Sequence, residues 1–170
     1  LPVMTTLGVT TLISDSGVTR YRVNTEEWMM YDRKKPSYWA FEKGVYMEQF
    51  DSIFNVEASI KADTAYYYDK ERLWKLIGNV DIQNRKGERF NTELLYWNEA
   101  TQKVYSDKFI RIQQPDRIIT GHGFDSNQQM TIYTIRNIEG IFYVNEEASS
   151  GPPQPETKAL PDSVNKDTAK

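Results

Sequence analysis

The side chains that could do chemistry are few in this chain of 170 residues, and they form no complete catalytic set. His122 is the only histidine, and the sequence contains no cysteine. A Ser-His-Asp triad would have to be built around His122, but no Gly-x-Ser-x-Gly elbow presents a nucleophile. A zinc site needs several His or Cys ligands, which a single Gly-His-Gly step does not supply. We therefore predict no catalytic residue, no metal and no cofactor, and interpret His122 as a solvent-facing turn residue.

Paired carboxylates could support glycoside hydrolysis, which needs two of them set about 5–9.5 Å apart. Glu26 and Glu27 are neighbours in the sequence. Because successive side chains of a strand point to opposite faces, these two cannot act as that pair. A hydrolase stays open only through carboxylates that are distant in sequence.

The composition bounds the kind of protein. With 39% hydrophobic and 13% aromatic residues, the chain is long enough for one domain with a core. A formal net charge of −3 gives no electrostatic footprint for nucleic acid or for an anionic membrane surface. No run of 18 apolar residues is present, and the chain begins at Leu1. We interpret it as a trimmed ectodomain, with an intact cytosolic protein as the alternative.

The elements that would position any site are strands. From Val56 to Asp69 the even positions are apolar or weakly polar, and the odd positions begin Glu, Ser, Lys, Asp. Such alternation predicts one strand with a covered and a wet face, about 40 Å long. Thr64–Tyr68 and Thr92–Tyr96 share a pattern and are each followed by a second strand, which suggests stacked hairpins.

Turn signals recur every ten residues or so, as expected of an antiparallel sandwich, jelly roll or open sheet roll. They lie at 15–17, 34–36, 69–71, 84–87, 98–101, 114–116 and 125–127. After Val144 the sequence becomes rich in proline and contains no aromatic residue, so it cannot bury enough surface to offset its ordering entropy. We predict a β domain over residues 1–144 and a disordered or extended tail over residues 145–170.

The apolar faces of the predicted strands carry several small side chains. Ala58, Ala62, Thr64, Gly78 and Thr92 would leave room between two facing sheets. A sheet pair too loosely filled to close would hold an apolar guest, although an ordinary sandwich core remains the simpler alternative.

Four stretches, at residues 13–23, 39–51, 54–112 and 117–127, carry a family resemblance. Its markers are Ala62-Asp63-x-Ala65, Gly78-x-Val80, Thr92, Ser106-Asp107 and Thr120-Gly121-x-Gly123-Phe124. In this order and spacing, over roughly residues 10–138, the chain resembles the LptC family of lipopolysaccharide-export proteins.

The resemblance implies an all-β fold, a twisted and partly open antiparallel β-jelly roll of the OstA/LptA type with an apolar interior groove. It implies a carrier and not an enzyme. The carrier would bind the lipid A acyl chains of lipopolysaccharide and relay them from the inner-membrane ABC transporter to the next bridge protein. That partner would be an LptA-like periplasmic jelly-roll protein, joined by edge-strand addition. The implied location is the periplasm, anchored to the inner membrane by an N-terminal segment missing from this chain.

Strand parity then selects the residues expected to line the groove. These lipid-binding residues are Tyr21, Val23, Val56, Ala58, Ile60, Ala62, Leu76, Val80, Ile82, Leu94, Ile110 and Ile112. Gly121 and Gly123 would permit a bend near the interface with the next protein. A competing hypothesis is a secreted carbohydrate-binding or adhesive β-sandwich, in which exposed Trp39, Trp74, Trp97 and tyrosines stack on sugars.

Overall fold

The structure is a computed structural model that describes residues 1–15 and 18–144. In this part of the chain every regular element is a β-strand. The strands are β1 (Met4–Asp15), β2 (Val18–Tyr31), β3 (Tyr38–Phe41), β4 (Val45–Phe50), β5 (Val56–Ala62), β6 (Thr64–Tyr68), β7 (Leu73–Asn84), β8 (Arg89–Asn98), β9 (Lys103–Gln113), β10 (Arg117–Asn127) and β11 (Tyr133–Tyr143). A search of these residues for a helix long and apolar enough to cross a membrane finds none.

All eleven strands belong to one antiparallel sheet, which confirms the predicted fold class. Long strand β2 pairs with β1 on one side, and with β4 and then β3 on the other. Strands β4 and β3 pair in turn with β5 and β6, and both of these pair with β7. From β7 the sheet continues through β8, β9 and β10 to β11. The two outer strands are therefore β1 and β11.

A row of backbone irregularities crosses the middle of the sheet. Gly44 lies between β3 and β4, and Asp63 separates β5 from β6. Gly78, Asn79 and Gly123 interrupt β7 and β10, with φ angles of 83°, 45° and 84°. Bulges of this kind bend a strand and increase its twist. We call this row the kink line.

The kink line divides the sheet into two parts that face each other. We call them the β3–β6 half and the β4–β5 half, each including the segments of longer strands that pair with those short strands. Contacts between strands that are not neighbours in the sheet join the halves: Tyr21 of β2 packs edge-on against Trp97 of β8, and Phe90 of β8 against Tyr133 of β11. The sheet is thus folded on itself around one core.

The core is a single cluster of buried side chains drawn from both halves. Its largest fully buried members include Trp74, Phe41, Phe90 and Phe124. Burying an apolar side chain of this size contributes about 1.5–3 kcal/mol, so the facing of the two halves supplies much of the driving force for folding.

Two details of the predicted strands are wrong. The stretch from Val56 to Asp69 is not one uninterrupted strand, because it breaks at Asp63, whose backbone N–H bonds to Gly78 O at 2.9 Å on the kink line. The turn predicted at 125–127 lies inside β10, and the connection to β11 follows at 128–132. Residues 16–17 and the predicted tail at 145–170 lie outside the described residues.

Candidate functional site

Most residues predicted to line a groove lie in the interior between the two halves. Ten are buried side chains: Tyr21, Val23, Ala58, Ile60, Ala62, Leu76, Val80, Ile82, Ile110 and Ile112. Leu76, Val80 and Ile82 have no exposed surface. In this structure the chain's own side chains fill the interior, so a guest molecule would require the halves to move apart.

Leu94 does not belong to the interior face, contrary to the parity prediction. Its neighbour Leu95 is fully buried, whereas Leu94 lies on the outer face beside Phe109. The reason is a bulge: Ile77 pairs with Leu94 and Val80 with Thr92, so two residues of β7 oppose one of β8. The pairing of β8 with β9 is also irregular here. The side-chain alternation of β8 therefore shifts by one residue.

Val56 has the predicted parity but not the predicted burial. It is the first residue of β5, pairs with Phe50 at the end of β4, and is 43% exposed. It lies where β5 begins and not in the packed interior.

A cleft between the two halves, on the side away from the kink line, connects the interior with solvent. Its volume is about 490 Å³. We call it the mouth cleft, and it is lined by Ile13, Ser14, Arg20, Tyr21, Trp39, Gln49, Phe50, Asp51, Ser52, Glu57, Tyr67, Arg72, Trp97, Glu99, Gln102, Gln128 and Gln129. Three of these, Tyr21, Tyr67 and Trp97, also belong to the buried core, so the cleft is continuous with the interior.

Glu99 forms a hydrogen-bonded bridge across the mouth cleft. Its carboxylate accepts hydrogen bonds from Tyr21 Oη at 2.7 Å, Trp74 Nε1 at 2.8 Å and Tyr67 Oη at 3.3 Å. Arg72 Nε lies 3.8 Å from the same carboxylate. Because Tyr21 comes from the β4–β5 half and the other groups from the β3–β6 half, this cluster joins the two halves.

Burial and then the nearby Glu99 charge raise the pKa of both tyrosines in this cluster. For Tyr67 the pKa is raised to about 12, and the pKa of Tyr21 is raised further. Both hydroxyls therefore keep their protons at neutral pH and can donate to the carboxylate. No local pattern points to Glu99, since it lies in a predicted turn and its partner Tyr21 is 78 residues away.

A second set of polar contacts joins the halves near β11. Tyr133 Oη donates to Glu88 Oε2 at 2.5 Å, and Asn84 Nδ2 donates to Met130 O at 2.8 Å. The Tyr133 ring packs against Phe90 and Phe124. Burial, followed by the hydrogen bond to Glu88, raises the pKa of Tyr133 to about 12. The two halves are thus closed by hydrogen bonds at two places.

The outer strands expose apolar side chains. On β1, Leu7 is 70% and Leu12 53% exposed; on β11, Ile138 is 58% and Tyr143 56% exposed. An outer strand also has backbone N–H and C=O groups without a neighbouring strand, which can pair with a strand of another chain.

Gly121 and Gly123 lie in β10, one strand in from the β11 edge. A Cβ on Gly121 would come within 2.3 Å of Asn137 O, so glycine permits close approach of β11. Gly123 has the positive φ of the kink line. Both glycines therefore shape the sheet next to its edge, and their part in a partner interface stays a prediction.

His122 lies within β10 and not in the predicted turn. Its Nδ1 contacts the Glu139 carboxylate on β11, and its ring edge meets Phe109. The side chain is 49% exposed, which makes this a surface pair on the outer face.

The tryptophans do not form the exposed surface that the carbohydrate-binding hypothesis requires. Trp74 is fully buried and Trp97 is 4% exposed. Trp39 is partly buried and packs against Trp28 and Tyr67. Stacking of sugars on these three indole rings is therefore ruled out in this conformation.

Comparison with known proteins gives one family. Residues 9–143 match the model of a family described as lipopolysaccharide-assembly, LptC-related. The matched range runs from within β1 to the last residue of β11 and so includes both halves of the sheet. No curated protein sequence matches the chain.

Proposed function

Because the chain belongs to the LptC-related family of lipopolysaccharide-assembly proteins, we propose that it carries lipopolysaccharide with the acyl chains held between the two halves of its sheet. The observation that carries this proposal is the apolar interior that reaches solvent at the mouth cleft. The chain acts by binding, with no bond made or broken.

The physical demand on such a carrier is to keep acyl chains away from water. Exposing a chain costs about 0.8 kcal/mol per methylene, so each acyl chain costs on the order of 10 kcal/mol. A folded sheet can cover the chains with its inner face while the sugars stay in solvent. A fully closed barrel would have to enclose the glycan too.

The closing contacts are weak enough to be exchanged for a guest. The halves meet through Tyr21–Glu99, Tyr133–Glu88 and Asn84–Met130 O. A neutral hydrogen bond contributes about 1 kcal/mol net and one to a carboxylate about 1.5–3 kcal/mol, so the three together contribute less than the roughly 10 kcal/mol gained by covering one acyl chain. Acyl chains entering between the halves would replace apolar contacts within the buried core, to which Leu76 and Ile82 belong. Opening along the kink line therefore exchanges one apolar packing for another.

The two outer strands, β1 and β11, offer unpaired edges through which lipid carriers could be joined in series. We propose that the inner-membrane transporter feeds lipid to this carrier and that an LptA-like jelly-roll protein adds a strand to β11, next to the segment shaped by Gly121 and Gly123. Strand addition at an unpaired edge would join one interior to the next. On this proposal the protein works in the periplasm, next to the inner membrane.

Site-specific photocrosslinking with purified lipopolysaccharide tests the interior site. The structure offers two matched pairs of adjacent residues on opposite faces: Ile60 with Lys61, and Leu95 with Leu94. We expect lipid adducts from positions 60 and 95 and none from positions 61 and 94. Equal adducts from both members of a pair, or none from any position in a folded protein, would reject the proposal.

A further inference from the structure

The mouth cleft contains two arginines, Arg20 and Arg72, that form few ion pairs with the rest of the protein. Among residues 1–14 and 20–144, whose side chains the structure describes, no carboxylate pairs with Arg20, which is exposed at the cleft. Arg72 has one distant ion pair, from Nε to Glu99 at 3.8 Å, and its side chain is 54% exposed. The Glu99 oxygens already accept hydrogen bonds from Tyr21 and Trp74. Both guanidinium groups can therefore bind an external anion.

The remaining acidic groups of the cleft are held by partners of their own. Asp51 Oδ2 lies 2.7 Å from Arg85 Nη2, and Glu57 lies 3.9 Å from the same nitrogen. Backbone hydrogen bonds, first from Asn55, lower the pKa of Asp51 and keep it in its charged, accepting form. Asp51 is thus engaged by Arg85, and Glu57 keeps only a distant ion pair with the same group; neither carboxylate pairs with Arg20 or Arg72.

The rest of the lining suits a saccharide. Gln49, Gln102 and Gln129 also line the cleft, and a glutamine amide can both donate to and accept from a hydroxyl group. Trp97, whose Nε1 donates a hydrogen bond to Gln128 at 3.3 Å, and Trp39 also line the cleft, but as largely buried rings that add apolar lining and no stacking platform. Arginine guanidinium groups match phosphate oxygens in a bidentate geometry. The combination fits a sugar that carries phosphate.

We infer that the mouth cleft is the binding subsite for a phosphorylated saccharide, the headgroup of the amphiphile whose acyl chains enter the interior. The inference rests on the proposed function, because the cleft continues into the core through Tyr21, Tyr67 and Trp97. A headgroup bound here directs its attached chains between the two halves. The volume of about 490 Å³ lies within the usual ~300–1,000 Å³ of small-molecule sites.

The test compares full-chain protein binding a bisphosphorylated lipid A with its enzymatically dephosphorylated form, measured with radiolabelled lipid. We expect wild-type protein to bind the phosphorylated form roughly tenfold more tightly, as one or two charge-assisted hydrogen bonds would give. R20Q/R72Q should bind both forms equally, at the weaker level. R33Q/K34Q, which removes the same two positive charges from the exposed β2–β3 loop, should keep the wild-type preference.

Each other outcome overturns the inference in a recognisable way. If wild-type protein binds both lipid forms equally while positions 60 and 95 still crosslink, the headgroup subsite is wrong and the interior site stands. If inorganic phosphate alone competes at the concentration of lipid A phosphate, the site takes free phosphate and not a headgroup. If neither lipid binds and no position crosslinks, the proposed function fails together with the inference.

Discussion

At the scale of single residues, the interior is bounded by polar groups placed where the halves meet. Glu99 is the clearest case, with three donors on a carboxylate whose side chain is 11% exposed. Such a carboxylate and its donors depend on each other. Removing the charged acceptor leaves the buried donors without a full partner, which lowers stability. Tyr133 and Glu88 have the same relation on the other side of the core.

The role of Glu99 predicts the effect of neutralising it. Glu99→Gln replaces a charged acceptor of three hydrogen bonds by a neutral amide with one acceptor oxygen, and we expect the free energy of unfolding to fall by about 2–3 kcal/mol. Urea denaturation measures the change. Glu71→Gln, at an exposed residue of the β6–β7 turn, is the matched control and should change stability by less than about 0.5 kcal/mol. Equal effects of the two variants would show that Glu99 does not hold the mouth cleft closed.

The raised pKa values of Tyr67 and Tyr133 predict a loss of stability in alkali. Each is raised to about 12 from an ordinary value of 10.0. Between these values the folded protein keeps protons that the unfolded chain loses, so the stability is fully present below pH 10 and falls as the pH rises towards 12. Denaturation at several pH values should show this fall, and it should be smaller in Tyr67→Phe and Tyr133→Phe. Tyr143→Phe, at an exposed position, should leave it unchanged; a fall identical in all three variants would contradict the assignment.

At the scale of elements, the kink line lets long strands serve both halves. Strand β7 pairs with β6 through its first part and with β5 through its last part, and the break at Gly78 and Asn79 lies between them. The edge strands are the other elements with a functional consequence, since β1 and β11 each leave one side of their backbone without a partner among the described residues.

If a partner adds a strand to β11, a charge introduced on this strand should weaken docking of the partner. Ile138→Lys puts a cation on the exposed edge strand, where charge opposes edge-to-edge pairing, and we expect it to weaken docking of an LptA-like protein about tenfold without lowering stability. Pull-down or interferometry with the purified partner measures docking. Ile132→Lys makes the same change at a residue that is 77% exposed but lies before β11, and it should dock normally. Equal docking of the two variants would place the interface elsewhere.

At the scale of the whole molecule, one sheet provides both walls of the site. In the described part of the chain, the walls are continuous through the kink line. Elsewhere they meet through ring pairs such as Tyr21–Trp97 and through side-chain hydrogen bonds such as that from Asn84 Nδ2 to Met130 O. A guest can then separate the walls without breaking the backbone hydrogen bonds between neighbouring strands. This arrangement reconciles a packed interior in the free protein with the proposed role in carrying acyl chains.

The domain division proposed from the sequence predicts that the chain ending at residue 144 folds by itself. Both halves of the sheet and both bridges across the interior lie before that residue. We expect a chain of residues 1–144 to unfold in denaturant with the midpoint of the full chain and to give the same lipid crosslink at position 60. A lower midpoint would show that residues 145–170 pack on the domain.

The sequence by itself determined the fold class and much of the interior, because side-chain alternation is a local property of a strand. Parity alone placed Val23, Ile60, Val80 and Ile110 on what proved to be the buried face. The order of short motifs also indicated the family that residues 9–143 match. Neither inference needed to know which strands are neighbours.

Only the tertiary structure decided where alternation fails and what closes the interior. Leu94 faces outwards because β7 and β8 pair through a bulge, and a bulge depends on both strands. Trp74 became a core residue and not a sugar platform because the sheet folds on itself. Glu99 meets Tyr21 across 78 residues of sequence, a contact that no local pattern encodes. Such contacts follow from long-range register and the direction of the kink, which are properties of the assembled sheet.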